Sequence, residues 1–186
     1  MPLRTGAAGW RTIAITAAAT SCLYMLLYRA NVLIMGKDNF GGVASLIFLP
    51  AFTRLLGFLL IRHWTIPALF AAAWFCVDLG LDPKSQFIVA LSLAVGSPIA
   101  IGEVSRAIGL SPSLANLNGK KLLLLSAASA LGSGAAYHIG LSVVGAETSV
   151  DGSFMATVVG DALGTWAIIY SLKAVLTLVG RQRRKA

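Results

Sequence analysis

Apolar residues run along this chain in six long blocks, at about 12–28, 40–61, 64–77, 85–101, 122–144 and 153–179, separated by short polar punctuation. A transmembrane helix needs roughly 20 apolar residues to cross about 30 Å of hydrocarbon. The pattern therefore predicts an all-α polytopic membrane protein, a six-transmembrane-helix bundle filling one integral membrane domain, 1–186. Arg29, Asn31, Lys37 and Asp38 mark the exit of the first span, and Arg62-His63 makes a tight turn after the second. The third block is short and is expected to tilt little or to borrow flanking residues. Gly96, Pro98 and Gly102 loosen the last turns of the fourth. A polar stretch, 103–121, and a loop, 145–152, complete the connections.

Composition removes the alternatives. Only 12% of the 186 residues are charged, about half the share usual in a soluble domain. Six spans leave no room for a soluble catalytic or DNA-binding domain. The net charge of +8 would suggest nucleic acid as a partner in a soluble protein. Here it reads as the Lys/Arg excess of inside-facing loops, and no nucleic acid is expected. One side of the alternation holds Arg4, Arg11, Arg62, Arg106, Lys120, Lys121 and the basic tail from Arg181. The other holds Arg29, Lys37 and Lys84 among Asp38, Asp78, Asp82, Glu147 and Asp151. This asymmetry predicts both termini in the cytoplasm and a multi-pass location in a bacterial cell inner membrane. Trp10, Trp64 and Trp74 fall near span ends, where an amphipathic indole is favoured. Apolar sequence continues through Leu27, past the small residues Ala17, Ala18 and Ala19, which favours an uncleaved first span over a signal peptide. Cys22 and Cys76 lie inside apolar blocks and read as two small buried residues. No internal repeat is visible, so an inverted-repeat transporter is not supported.

Ionisable groups in hydrocarbon cost roughly 2.5–3.5 kcal/mol each and face a partner or a water-filled cavity. Arg54, His138 and Asp161 are the deep candidates; Glu103 and Lys173 lie nearer the inner surface. With a turn near Ser149, His138 and Asp161 fall at similar depth, about 10 Å below the outer surface. Gly132, Ala136 and Gly140 on the fifth span, and Ala156, Gly160 and Gly164 on the sixth, form small-xxx-small stripes expected to bring these two helices together. A His–Asp pair there either binds a proton, a cation or a polar ligand or simply pins the hairpin. Arg54 follows Pro50, which is expected to bend the second span by removing a helical donor. By depth Arg54 meets Glu103 more easily than Asp161. Its planar fork suits an anionic or carbonyl group, or an internal salt bridge.

Enzyme signatures fail: there is no H-E-x-x-H, no phosphate-cradling G-x-x-x-x-G-K and no aspartate-rich motif. No catalytic residue, metal or cofactor is expected. Ser133 and His138 are five residues apart on one helix and do not share a face, so they make no dyad. The segment Phe48-Leu49-Pro50-Ala51-Phe52-Thr53-Arg54-Leu55-Leu56 resembles the F-x-P-x-G-x-R-L-type segment of membrane-associated sensor (MASE-type) domains, with Phe52 where a Gly is common. Gly160-Asp161-Ala162-Leu163-Gly164 resembles a G-D-x-x-G segment late in such domains. The resemblance implies a sensory or small-ligand-binding module marked by Pro50, Arg54, Gly160 and Asp161. With no output domain on the chain, such a module signals through a membrane-protein partner. In topology the chain also resembles the substrate-binding subunit of energy-coupling-factor transporters, with Ala14 and Ala18 as a small-residue docking face. The third expectation is a structural or accessory subunit of a larger membrane complex.

Overall fold

The computed structural model describes residues 7–35, 47–76, 80–146 and 150–183. Arg4, Lys37, Asp38, the first part of the second block (40–46), Val77, Asp78, Glu147, Ser149 and the last tail residues from Arg184 lie outside the described residues. Among the described residues there are six α-helices: α1 (Ala7–Met35), α2 (Ala51–Ile61), α3 (Thr65–Cys76), α4 (Pro83–Ala107), α5 (Gly119–Val143) and α6 (Val150–Arg183). There is no strand among the described residues. Among the described residues, five stretches are long and apolar enough to cross a membrane: Gly9–Ile34, Ala51–Cys76, Pro83–Ala107, Gly119–Val143 and Phe154–Leu178.

The stretch Ala51–Cys76 holds two helices rather than one straight rod. A 3₁₀ turn, Arg62–Trp64, separates α2 from α3. Arg62 takes φ 56° and ψ −131°, a left-handed break that no helix can run through. Beyond it the chain folds back. A β-carbon on Gly57 would sit 2.8 Å from Thr65 Cγ2, whereas residues eight apart on a straight helix are about 12 Å apart. α2 and α3, with 11 and 12 residues, are each under about 20 Å long, short of the hydrocarbon thickness.

Several expectations are corrected. The 29-residue α1 continues through Arg29 and Asn31 to Met35. Asn31 is not an exit marker but a buried hydrogen-bonding group, 5% exposed. Pro50 does not bend a helix; it is the residue from which α2 starts, with φ −60° and ψ −19°. A proline at a helix start lacks an N–H that has no helical acceptor anyway. α4 extends through Ala107, so Glu103 lies in a helix rather than a polar loop. Cys22 is exposed on the outside of α1, not buried.

Local chemistry fixes the ends of α4 and α5. The Asp82 carboxylate accepts from the amides of Lys84 and Ser85, with Pro83 at the first turn. Hydrogen bonds from the Ser85 hydroxyl and these amides hold the Asp82 carboxyl below its ordinary range. Asn118 caps α5 through the Lys121 amide, and Asn116 ties the preceding loop by donating to the Gly109 carbonyl and accepting from the Ser111 amide.

The closest packing joins α4 to α5. A β-carbon on Gly96 would strike the carbonyl of Gly132 and the methyl of Ala136; one on Gly132 would strike Ala100 and the Gly96 carbonyl; one on Gly140 would meet Ser92. The stripe Gly132, Ala136 and Gly140 thus faces α4, not α6 as expected. Ser97 and Ser129 hydrogen-bond across the same seam at 2.6 Å. Such side-chain bonds and close backbone approach hold helices together where lipid supplies no hydrophobic drive. One apolar cluster closes each end. Leu55, Phe58, Ile101 and Leu125 pack at the end where α2 finishes. Ala73, Val89, Leu93, Tyr137 and Leu141 pack at the other. The first of these ends also gathers Arg62, His63, Arg106, Lys120 and Lys121, with Trp10 of α1 edge-on to Trp64 at 4.9 Å.

Candidate functional site

The residues before α2 carry backbone groups into the middle of the bundle, where each donor needs a protein acceptor. The Phe48 amide donates to the Gly160 carbonyl of α6 at 2.9 Å. The Leu49 amide donates to Asn31 Oδ1 of α1 at 3.0 Å. Pro50 has no N–H to satisfy. The amides of Ala51 and Thr53 close onto the carbonyls of Phe48 and Pro50 at 3.1 and 3.0 Å. Gly164, one turn beyond Gly160, lies against the Phe48 carbonyl so closely that any β-carbon would collide with it. α2 is therefore a short helix whose beginning is clamped between α1 and α6.

One turn into α2, the Arg54 guanidinium meets Asp161 of α6. Arg54 Nη1 donates to Asp161 Oδ2 at 2.5 Å, with both side chains 3% exposed. The Ser133 hydroxyl of α5 donates to the same oxygen. Arg54 also lies over the Phe48 ring, with Cζ 5.2 Å from its centroid. Tyr24 of α1, 1% exposed, packs beside Arg54 with its hydroxyl close to the guanidinium, near enough to feel the charges of both Arg54 and Asp161. Four helices thus converge on one ion pair. No protein-family model, curated protein or solved structure matches this chain.

The two segments singled out by resemblance dock on one another. Phe48, Leu49 and Arg54 supply one half of the contact; Gly160, Asp161 and Gly164 supply the other. Arg54 therefore pairs with Asp161, not with Glu103 as depth suggested. Glu103 instead forms an exposed pair with Arg106, one turn along α4, at 2.5 Å. His138 is not beside Asp161. It lies 5.6 Å from the Phe154 ring of α6, edge to face, and against Tyr137.

The hairpin register explains the displacement. α5 stops at Val143, Gly145 takes φ 69°, and α6 begins at Val150. Ser133 meets Asp161, Gly134 meets Val158, and His138 meets Phe154. The turn is thus centred before residue 149, and His138 is offset from Ser133 by about 7.5 Å along α5. Ala156 is half-buried on α6.

Sequence reasoning missed Tyr24 and Asn31 as members of the polar centre, and Gly96 as the partner of the α5 stripe. Tyr24, Tyr28 and Asn31 are spaced i, i+4 and i+7, one helix face, which was the available signal. Chemically, the centre is charge-neutral and its donors are aimed inward. The guanidinium is 3% exposed, and the anion that it holds is the Asp161 carboxylate. Among the described residues, no group of three His, Cys, Asp or Glu gathers as metal ligands do.

Proposed function

We propose that this protein is a multi-pass inner-membrane sensory or small-ligand-binding module that acts on a membrane-protein partner by conformational change rather than catalysis. The observation that carries this reading is the Arg54–Asp161–Ser133 contact, which joins α2, α5 and α6 through a pair of buried charges. A buried pair is stable only while both partners are present. A small anionic ligand that takes Arg54 releases Asp161, so binding and unlocking α2 become one event with two discrete states. Protonation of Asp161 would release the same latch. His138, beside Phe154, lies between this centre and the start of α6.

In the same reading, the folded-back pair α2 and α3 contributes an even number of crossings, giving six spans with both termini cytoplasmic and the basic bundle end facing the anionic leaflet. The partner is another membrane protein and not nucleic acid. A second reading, the substrate-binding subunit of an energy-coupling-factor type transporter, draws support from Ala14 and Ala18, both exposed on α1 and spaced to receive a neighbouring helix.

The test is purification in mild detergent with mass spectrometry of bound proteins and small molecules, for the wild type and for Asp161→Asn and Arg54→Leu. Stoichiometric recovery of a kinase or cyclic-nucleotide enzyme whose association changes in the variants supports sensing. Recovery with a pair of ATPases supports uptake instead. Folded variants that keep every partner and ligand at wild-type levels overturn the proposed role of the polar centre.

A further inference from the structure

A second polar site lies at the basic end of the bundle, away from the Arg54–Asp161 pair. A cavity of about 350 Å³ opens there between the end of α2, the 3₁₀ turn and the last turns of α4. Its polar lining is Arg62, His63, Glu103, Ser105 and Arg106. Its apolar lining includes Phe58, Ile66 and Ile99.

Three observations mark it as built for a ligand. Ser105 is 4% exposed, and its hydroxyl has no hydrogen-bond partner. A serine in a helix normally returns its proton to the carbonyl one turn back, as Ser92, Ser142 and Ser171 do here. Ser105 does not, although an unmade buried hydrogen bond is costly. Arg62 holds the left-handed backbone (φ 56°) that starts the fold-back, and its guanidinium stands 5.9 Å from the Phe58 ring at the cavity wall. Strain of this kind persists where the surroundings fix it, often at ligand clamps. Finally, Arg62 and Arg106 outnumber Glu103, which leaves the cavity with net positive charge. The Trp10–Trp64 pair beside it sets its depth at the level of lipid headgroups.

We propose that this cavity binds a phosphate-bearing anion. Arg62 and Arg106 hold its oxygens, and the Ser105 hydroxyl donates to it. The guanidinium fork matches phosphate geometry. The apolar lining continues from the polar cluster toward the hydrocarbon and fits the first methylenes of an acyl chain, which favours an anionic phospholipid as the source over free phosphate. Filling the cavity would brace the turn between α2 and α3.

The test uses the full chain in detergent and in zwitterionic nanodiscs, titrated with short-chain phosphatidylglycerol and, separately, with inorganic phosphate. Binding is read by native mass spectrometry and calorimetry. Wild-type protein should retain phosphatidylglycerol in preference to phosphatidylcholine. The pair Arg62→Gln with Arg106→Gln should weaken retention at least about ten-fold, and Ser105→Ala about three-fold or more, as expected for lost hydrogen bonds to a charged group. Lys120→Gln with Lys121→Gln removes equal charge from the same end and should change little. If phosphate alone binds as tightly as the lipid and is lost in the same variants, the site stands and its ligand is soluble. If the lysine pair lowers binding as much as the arginine pair, or if Ser105→Ala, which favours helix and leaves the charges intact, binds like wild type, the site is overturned.

Discussion

Arg54 is held by the Asp161 carboxylate, with the Phe48 ring and Tyr24 packed about it out of reach of water. In a medium that cannot solvate it, a lone guanidinium or carboxylate is worse than no charge. Asp161→Ala should therefore destabilise the protein by about 3–5 kcal/mol, and adding Arg54→Met should recover a substantial part of that loss. Unfolding in detergent, followed by circular dichroism, measures both. A double variant less stable than Asp161→Ala would show that Arg54 is held by something other than this carboxylate. Ser133→Ala should cost about 1 kcal/mol, the scale of a single interhelical hydrogen bond in a membrane. Arg54 and Asp161 were legible as residues of interest because charge in an apolar block is rare. Their pairing was not, because depth counted along assumed straight spans misplaced both. Arg54 belongs to a short helix with an internal beginning, and Asp161 lies 11 residues into a helix that starts at Val150.

The helices show which sequence signals carry across and which do not. The recurrence of Gly132, Ala136 and Gly140 correctly marked a face of close approach. Periodicity names the face of one helix but not the neighbour that meets it, and the neighbour is α4. Gly96 supplies the opposing gap, flanked one turn away on either side by the small residues Ser92 and Ala100, which meet Gly140 and Gly132. Gly96→Ala should cost about 1–3 kcal/mol, because its methyl would meet the backbone carbonyl of Gly132 and an Ala136 methyl that cannot retreat. Gly102→Ala on the same helix is the matched control. Its β-carbon would sit 3.6 Å from Phe58, an ordinary contact, so it should be neutral or slightly stabilising through helix propensity. Thermal unfolding of the two variants side by side distinguishes packing from propensity; equal melting points would remove the special role given to this seam. α2 and α3 were each visible as apolar blocks, and Arg62-His63 as the turn between them. That α2 begins inside the bundle was not visible, because the amides leading into it, those of Leu49 and Phe48, are satisfied by Asn31 and Gly160, both remote in sequence.

For the molecule as a whole, the fold-back at Arg62–Trp64 decides the parity of crossings. A straight Ala51–Cys76 would make five crossings and put the chain ends on opposite sides. A folded-back pair adds none or two, and the ends then share a side. Reporter enzymes fused at the two termini should both be active in the cytoplasm, while a reporter placed after residue 146 should be active on the other side. Opposite locations for the two termini would reject the fold-back. Two outer surfaces remain broadly uncovered: the outward face of α1, with Ile15, Leu26 and Leu33 at 70%, 67% and 85% exposed, and the last turns of α6 around Leu176, 71% exposed. In a bilayer these surfaces meet lipid or another protein.

The partners of α2 are separated from it by an unusual length of chain, 107 residues between Arg54 and Asp161. During synthesis, the ribosome must therefore release the chain past residue 161 before that arginine can be neutralised. Until then it sits in a nascent bundle with its counter-ion still unmade, so the segment has reason to wait near the interface and slide inward only when α6 arrives. Chains truncated at residue 150 should leave a cysteine introduced at Leu55 open to a water-soluble thiol reagent, and chains extended past residue 165 should protect it. Equal protection in both would mean that α2 seats itself without its late companion.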